Sequence, residues 1–263
     1  EKPPMKILTI ASAKGGVGKT TVTENLAVAL ARQTGRTVLA VDLDPQNALA
    51  LHLGLGPQEL RGLSRASLSG QNWRDACFER QPGLYLLPFG AVTEHDLAAL
   101  EAQIAAHPRW LLDHLQALQL PDDALVLLDT PPGPYAYGRQ ALGIAHWVMV
   151  VMLADAASYA TLPLMQRLVQ THCAPRTDFV DTFYLLNQVN SARQLSQDIL
   201  RVLREAVGPR FAGSIHADEA VPESLALGMS VLDHGAHSQA SHDILACAAF
   251  VAARMRAQAG AEV

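Results

Sequence analysis

Short apolar runs recur along the chain, separated by polar or amphipathic segments. An apolar run of about four to eight residues, bounded by turn-forming residues, is typical of a strand that is buried on both faces. The runs predicted as strands occupy residues 7–10, 37–41, 84–88, 124–128, 147–153, 179–186 and 211–215.

Between most of these runs, apolar residues return at helical spacing. The segment 23–32 shows this spacing and is stopped by Gly35. Further helices are predicted over residues 93–119 (with an interruption near His107-Pro108), 156–170, 193–207 and 238–257. The alternation predicts an α/β fold with a mostly parallel central sheet of about seven or eight strands and helices on both faces.

The domain organisation is predicted from the uniform composition of the chain. We find no repeat, low-complexity linker or shift in composition, so we predict a single domain over residues 5–258. Residues 1–4 precede Met5 and are interpreted as an extension or an expression remnant. Residues 47–81 are predicted to be rich in loops, with short helical pieces.

The composition, charge and cysteine content of the chain exclude several classes of protein. The chain of 263 residues is 49% hydrophobic and 17% charged, which is typical of a globular protein. A net charge of −5 argues mildly against sequence-independent DNA binding, which needs a basic face. The three cysteines are far apart and form no CxxC pair, so we expect a reduced, cytoplasmic compartment and no metal or disulfide framework. The apolar runs are too short to span a bilayer, and we find no secretory signal.

The first strand, a glycine-rich loop and a helix follow one another, which is the context of a phosphate-binding loop. Glycines allow backbone conformations that bring N–H groups onto phosphate oxygens, and the helix N-terminus favours the anion. We predict that Lys19 reaches the β- and γ-phosphates and that the Thr20 hydroxyl is a Mg²⁺ ligand. The candidate nucleotide-binding residues of the loop are Gly15, Gly16, Val17, Gly18, Lys19, Thr20 and Thr21.

Carboxylates follow two other predicted strands. Asp42 and Asp44 come after the strand 37–41, and Asp129 comes after the strand 124–128. Because ligands of parallel sheets bind at the carboxyl ends of the strands, these side chains should converge on the loop. Phosphoryl transfer to water requires Mg²⁺, which neutralises charge, and a group that orients the attacking water. The alternative for Asp42 and Asp44 is a plain turn, since Asp-Pro is common in turns.

The loop departs from the usual GxxxxGK[ST] pattern, because its first glycine is replaced by Ala13, which is followed by Lys14. With its two lysines it resembles the deviant phosphate loop, xKGGxGK[ST], of the MinD/ParA ATPase family. The resemblance covers residues 6 to about 250. It implies an ATPase with Mg²⁺ as cofactor and a homodimer in which Lys14 reaches the partner's nucleotide.

The same resemblance implies roles for the acidic residues. In the family, the second aspartate of the first switch, here Asp44, positions the attacking water, and the first, here Asp42, supports the metal shell. Asp129 looks like the carboxylate that holds Mg²⁺ through water, and residues 131–133 resemble the γ-phosphate-sensing second switch. Lys14, Lys19 and Asp44 are therefore the candidate catalytic residues, and Thr20, Asp42 and Asp129 are the candidate metal site. Water positioning by a carboxylate predicts slow turnover.

Recognition of the base is assigned to the later strands. An amide such as Asn187 can donate to and accept from an adenine edge, and the family has a base-reading asparagine at this position. The family also closes the loop after the last strand over the base, which implicates His216 and Asp218 here. The alternative is that Asn187 is an ordinary turn residue. The chain lacks the NKxD motif of GTPases, so ATP is favoured over GTP.

Two weaker features are interpreted as structural. His234, His237 and His242 match no standard zinc spacing and are assigned to turns or helix surface. The last predicted helix carries only Arg254 and Arg256 near its end, so we read it as a core-packing helix that does not insert into a membrane.

Three segments, residues 153–163, 185–205 and 215–243, further resemble the BcsQ family of bacterial cellulose-secretion operons. This resemblance implies an ATP-dependent dimer that serves the inner-membrane cellulose synthase complex, a small BcsR-type partner, and recruitment to the inner membrane through partners. Two other functions stay open. One is a partition or positioning ATPase that acts on DNA or membrane, and the other is a nucleotide-stabilised scaffold with negligible turnover.

Overall fold

A computed structural model describes residues 5–56, 58–133 and 135–261, so the interpretation of residues 1–4 lies outside the described residues. Within these ranges, eight strands form one sheet in the order β3-β4-β2-β5-β1-β6-β7-β8. The strands are β1 (Lys6–Ala11), β2 (Val38–Asp42), β3 (Phe78–Gln81), β4 (Leu84–Leu87), β5 (Leu125–Asp129), β6 (Trp147–Leu153), β7 (Asp181–Val189) and β8 (Phe211–His216). All pairings are parallel except that of the edge strand β3 with β4. The predicted fold class is confirmed.

Helices cover both faces of the sheet. They are α1 (Lys19–Thr34), α2 (Leu49–His52), α3 (Leu63–Ser69), α4 (Glu94–Ala106), α5 (Trp110–Ala117), α6 (Ala136–Ile144), α7 (Ala156–Tyr159), α8 (Leu162–His172), α9 (Gln194–Val207), α10 (Ala220–Ala226), α11 (Val231–His234) and α12 (Gln239–Ala261). Short 3-10 turns span Trp73–Ala76 and Gly208–Arg210.

The strands are apolar on both sides because successive side chains enter different cores. In β1, Leu8 and Ile10 pack with α1 and α12 on one face, whereas Ile7 packs with α4, α5 and α6 on the other. A third cluster lies between β6, β7 and the helices α8 and α9. Burial of each large aliphatic side chain contributes about 1.5–3 kcal/mol, so these cores hold the strand ends in place.

The strand register brings predicted site residues together. Asp42, the last residue of β2, lies opposite Asp129, the last residue of β5. The pairing continues one residue further, where the Leu43 N–H donates to the Asp129 carbonyl at 2.8 Å. Two carboxylates distant in sequence therefore occupy neighbouring strand ends.

Several elements differ from the sequence-based prediction. The strand β3 lies in the segment that was predicted as loops, and the helix α6 was not predicted, since Gly138 and Gly143 weaken its helical pattern. The helix predicted over residues 156–170 is divided into α7 and α8. The interruption between α4 and α5 is confirmed, and Thr93 caps α4 by accepting a hydrogen bond from the Asp96 N–H at 3.1 Å. Within the described residues, no helix is long and apolar enough to cross a bilayer.

Candidate active site

The loop between β1 and α1 has the backbone of an anion cradle. Gly16 and Gly18 have φ of 72° and 84°, a region that residues with a Cβ rarely adopt. Gly18 precedes α1, whose first turn contains Lys19, Thr20 and Thr21 and no acidic side chain. The positive end of the helix is therefore not neutralised by its own first turn, and it suits a bound phosphate.

Lys19 is buried at the base of this cradle, with 7% of its surface exposed. Its Nζ donates to the Ser12 hydroxyl at 2.9 Å, and that hydroxyl donates to the Lys14 carbonyl at 2.6 Å. Burial lowers the pKa of Lys19, while Asp129, Asp44 and Asp42 act in the opposite direction. Ser12 was missed by the sequence reasoning, because a serine before the glycines carries no distinctive pattern.

Asp129 and Thr20 meet beside Lys19. The Thr20 hydroxyl donates to Asp129 Oδ2 at 2.5 Å, and Asp129 is fully buried. Burial raises the pKa of Asp129 to about 7 despite the opposing effects of the Thr20 hydrogen bond and the Lys19 charge. Burial, followed by the neighbouring Asp129, also raises the pKa of Asp42 well above its usual range.

The chemistry of these groups fits Mg²⁺. Asp129 Oδ1 is buried and has no hydrogen-bond partner among the described residues, so it is a free acceptor beside the Thr20 hydroxyl. Within the described part of the chain, no group of three or more His, Cys, Asp or Glu side chains could hold a metal by itself. Mg²⁺ suits such a sparse site, because it usually keeps several waters and takes further ligands from substrate phosphates.

Asp42 is occupied by the backbone of its own loop. Its Oδ1 accepts the Asp44 N–H and its Oδ2 accepts the Leu49 N–H, each at 2.9 Å. Asp44 itself is only half-buried, and its Oδ1 accepts the Gln46 N–H at 3.0 Å. The arrangement therefore anchors the segment through Asp42 and leaves Asp44 partly exposed.

The predicted second switch lies next to the phosphate loop. The Thr130 hydroxyl donates to the Ile10 carbonyl at 2.8 Å, which ties the end of β5 to β1. A Cβ built on Gly15 would lie 3.6 Å from Pro132 Cγ, so Pro132 lies against the loop. Tyr135 is 57% exposed just beyond this segment, whereas Tyr137 is buried among α5 and α6.

A cavity of about 590 Å³ opens beside the start of α1. Its lining includes Gly18, Thr21, Val22, Asn187, Gln188, Asn190, His216, Asp218 and Pro222. Asn187 lies within β7 rather than after the strand, and its Nδ2 donates to the Val17 carbonyl at 2.8 Å. The structure thus brings the predicted base-binding residues to one cavity next to the phosphate loop. Gln188 and Asn190 also line it, although no motif distinguished them.

The polar groups of the last loop already have partners. The ring Nδ1 of His216 lies 2.8 Å from Asp243 Oδ2, and the backbone N–H of His216 donates to the same oxygen. Asp218 Oδ1 accepts the Ala220 N–H, and its Oδ2 accepts the Ala240 N–H. These backbone hydrogen bonds, that of Ala220 first, lower the pKa of Asp218. Both side chains therefore line the cavity while holding α10 and α12.

The chain matches known proteins over nearly its whole length. Residues 5–251 match the family described as cellulose biosynthesis protein BcsQ. BcsQ of Salmonella typhimurium is 28% identical over 252 residues, with 93% of each chain covered. The chromosome-partitioning ATPase Soj of Thermus thermophilus is 31% identical over 254 residues, with 95% of this chain and 96% of the relative covered.

Solved structures share the fold. The septum site-determining protein MinD of Pyrococcus horikoshii, complexed with Mg-ADP, has a TM-score of 0.72 at 23% identity over 93% of this chain and 94% of its own. Cobyrinic acid a,c-diamide synthase of Mycobacterium smegmatis, with a bound ATP analogue and magnesium, has a TM-score of 0.70 at 26% identity over 89% of this chain and 96% of its own. Both are similar to this chain across the sheet and its helices.

Proposed function

Since the chain belongs to the family of the cellulose biosynthesis protein BcsQ, we propose that it is an ATP-dependent switch serving bacterial cellulose synthesis and secretion. At the coarser level of family and fold it is a P-loop ATPase of the MinD/ParA type. The finer proposal is a slow, partner-regulated ATPase whose ATP-bound form is a homodimer.

One observation carries the chemical part of the proposal. The buried Lys19 and Asp129 and the half-buried Thr20 form a polar cluster at the carboxyl ends of β1 and β5, next to a glycine cradle. Burial of the Lys19 ammonium, and of an Asp129 oxygen that has no hydrogen-bond partner among the described residues, is costly unless a ligand completes the arrangement. Magnesium and a nucleoside triphosphate supply the charges that this cluster lacks.

The residues divide the work of hydrolysis. Lys19 and the N–H groups of residues 15–20 would bind the phosphates, and Thr20 and Asp129 would hold Mg²⁺, which neutralises charge on the phosphate oxygens. Asp44 would orient the attacking water, with Asp42 holding the segment that carries it. Because a carboxylate that only orients the water supplies no strong general base, we expect slow turnover.

Lys14 supports the dimeric form. It lies half-buried on the loop that carries Lys19, and its carbonyl accepts a hydrogen bond from the Ser12 hydroxyl. We place its ammonium on the nucleotide of the partner copy. Lys14→Ala should therefore keep the monomer fold and lose the ATP-induced dimer in sedimentation velocity. A variant that dimerises with Mg-ATP as well as the parent would contradict this role.

The cellulose role rests on the family description, since the site contains no group specific for a polysaccharide. We propose recruitment to the inner membrane through the cellulose synthase complex and a small BcsR-type partner. The test is a pull-down from cellulose-producing cells with tagged Asp44→Ala, which should bind Mg-ATP without hydrolysing it. Enrichment of synthase subunits over the parent protein is expected. An Asp44→Ala protein that hydrolyses ATP at the parental rate would refute the assignment of this residue.

A second function is favoured by the 31% identity to the partitioning ATPase Soj. A protein of that type would show salt-sensitive binding to non-specific DNA or ATP-dependent binding to liposomes. The third function, a scaffold stabilised by nucleotide, predicts tight Mg-ATP binding without turnover, with or without the presumed partner. Steady-state hydrolysis in the presence of the partner separates it from the switch.

A further inference from the structure

Asn47 holds the loop that carries Asp44. It is 2% exposed and has φ of 53°, a left-handed conformation that asparagine tolerates better than most side chains. Its N–H donates to the Asp44 carbonyl at 2.9 Å, which closes a turn over residues 44–47. Its Oδ1 accepts the Gly90 N–H at 2.9 Å, which ties this turn to the segment after β4.

The far end of this tie is rigid. Gly90 has φ of 84° and packs directly against Gly62, where an added Cβ would lie 2.4 Å from the Gly90 nitrogen. On the same segment, the Ser64 N–H donates to the Phe89 carbonyl at 3.0 Å, and the Ala91 N–H donates to the Glu59 carbonyl at 2.7 Å. The Gly90 amide is therefore a fixed point outside the active site.

Asp44 depends on such an outside anchor. Its backbone N–H is held by Asp42 on one side, and its carbonyl is held by the Asn47 N–H on the other. The Asp44 carboxylate is half-exposed and accepts a hydrogen bond from the Gln46 N–H. This contact lies within the same loop and does not fix the loop relative to the rest of the fold. The Asn47 side chain adds a second tie beside that of Asp42, because it joins the turn to the segment after β4.

We propose that Asn47 is a positioning residue for Asp44, and this inference rests on the proposed function of Asp44 in hydrolysis. Asn47 touches neither nucleotide nor water in this account, and it acts through the turn that it closes. A displacement of about 1 Å in a reacting group can cost roughly 100-fold in rate. Loss of the tie should therefore lower kcat while leaving nucleotide affinity unchanged.

The primary test is Asn47→Gly, which keeps the left-handed backbone and removes the side chain. We expect kcat to fall roughly 10- to 100-fold, with the Kd for Mg-ATP near the parental value. The melting temperature should fall by several degrees, because the buried Gly90 N–H loses its acceptor. The matched control is Gln119→Gly, since Gln119 also has a positive φ, 49°, and lies before β5 at the opposite end of the sheet. A parental kcat in Asn47→Gly, or a loss of Mg-ATP binding that parallels the loss of kcat, would overturn the proposal.

A further variant keeps the inference testable if Asn47→Gly does not fold. Asn47→Asp retains the acceptor for the Gly90 N–H, so its kcat should stay above the range expected for Asn47→Gly. A loss of roughly 10- to 100-fold in Asn47→Asp would therefore count against the tie.

The same measurements separate this inference from the proposed function. A parent protein that neither binds nor hydrolyses Mg-ATP would refute the proposed function itself. A parent that hydrolyses ATP, is silenced by Asp44→Ala and is unaffected by Asn47→Gly would keep the proposed function and refute only the role of Asn47.

Discussion

The phosphate end and the base end of the site are built on opposite principles. At the phosphate end, Lys19 and Asp129 are buried, and Asp129 Oδ1 is left without a partner among the described residues. At the base end, Asp218 accepts hydrogen bonds from two backbone N–H groups, and Asn187 donates to the Val17 carbonyl. A ligand would complete the first end, whereas the Asp218 carboxylate and the Asn187 amide nitrogen at the second end are already engaged by the protein.

This difference indicates which end of the site contributes most to the affinity for the nucleotide. Buried charges that are incompletely paired raise the free energy of the empty site, so a phosphate and a cation gain most there. At the base end, the Asp218 carboxylate and the Asn187 amide nitrogen already have protein partners, so a bound base would gain less from them. We therefore expect substitutions at the phosphate end to affect affinity and rate, and substitutions at the base end to affect stability.

The largest effect is expected for Lys19→Ala. Hydrogen bonds to charged groups contribute about 1.5–3 kcal/mol, so Mg-ATP affinity should fall roughly 10- to 100-fold or more. The control is Lys14→Ala in the same loop, which should bind Mg-ATP as a monomer with parental affinity. Calorimetric titration at low protein concentration measures both. Equal losses in the two variants would show that the lysines do not have separate roles.

Gly18→Ala should be more damaging than Gly16→Ala, although both glycines have positive φ. A Cβ at Gly16 meets open space, whereas a Cβ at Gly18 would lie 2.4 Å from Asn187 Nδ2. Backbone strain should cost about 1–2 kcal/mol in each variant, and overpacking should add about 1–3 kcal/mol at Gly18. Urea unfolding measures the difference, and adding Asn187→Ala to Gly18→Ala should recover part of it. Equal destabilisation would contradict the close packing of Asn187 on the loop.

A third prediction concerns a buried carboxylate of α1 outside the phosphate site. Glu24 is fully buried, with Arg80 Nε 3.4 Å and His52 Nδ1 3.8 Å from its oxygens. Burial raises the pKa of Glu24 to about 7, although Arg80 opposes the rise. The fold thus favours the protonated form, and this stabilisation is complete below the unfolded-state pKa and is lost as pH rises through about 7.

Relative to Glu24→Gln, the parent should therefore lose roughly 3 kcal/mol of unfolding free energy between about pH 4 and about pH 8. Urea unfolding across this pH range provides the measurement. Glu205→Gln, at an exposed position of α9, is the control and should track the parent at every pH. A parent whose stability rises with pH relative to Glu24→Gln would contradict the predicted direction.

The smallest effect is expected for Asp218→Ala at the base end. Loss of its backbone hydrogen bonds to the starts of α10 and α12 should cost about 1 kcal/mol of stability, as for a helix cap. The rate of ATP hydrolysis should stay at the parental level, because the side chain already has its partners. A rate that falls while the unfolding free energy is unchanged would show that Asp218 contacts the nucleotide, and would remove the distinction between the two ends.

The motifs were predictable because their chemistry depends on short-range spacing. Strand, glycine loop and helix follow one another within residues 6–34, and this order predicted the cradle around Lys19. The strand β3 and the helix α6 were not predictable in the same way. The first pairs at a sheet edge with one neighbour, and the second contains two glycines, so tertiary contacts decide both.

The sequence by itself determined the fold class, the phosphate loop and the identity of the acidic residues around it, since hydrophobic periodicity and motif spacing are local properties. Only the tertiary structure decided which groups are satisfied. It placed both oxygens of Asp42 on backbone N–H groups, left Asp129 Oδ1 without a partner among the residues that the structure describes, and joined Asn47 to Gly90 across 43 positions of the chain. Those outcomes depend on strand register and on the close approach of Gly62 to Gly90, and no local pattern encodes either.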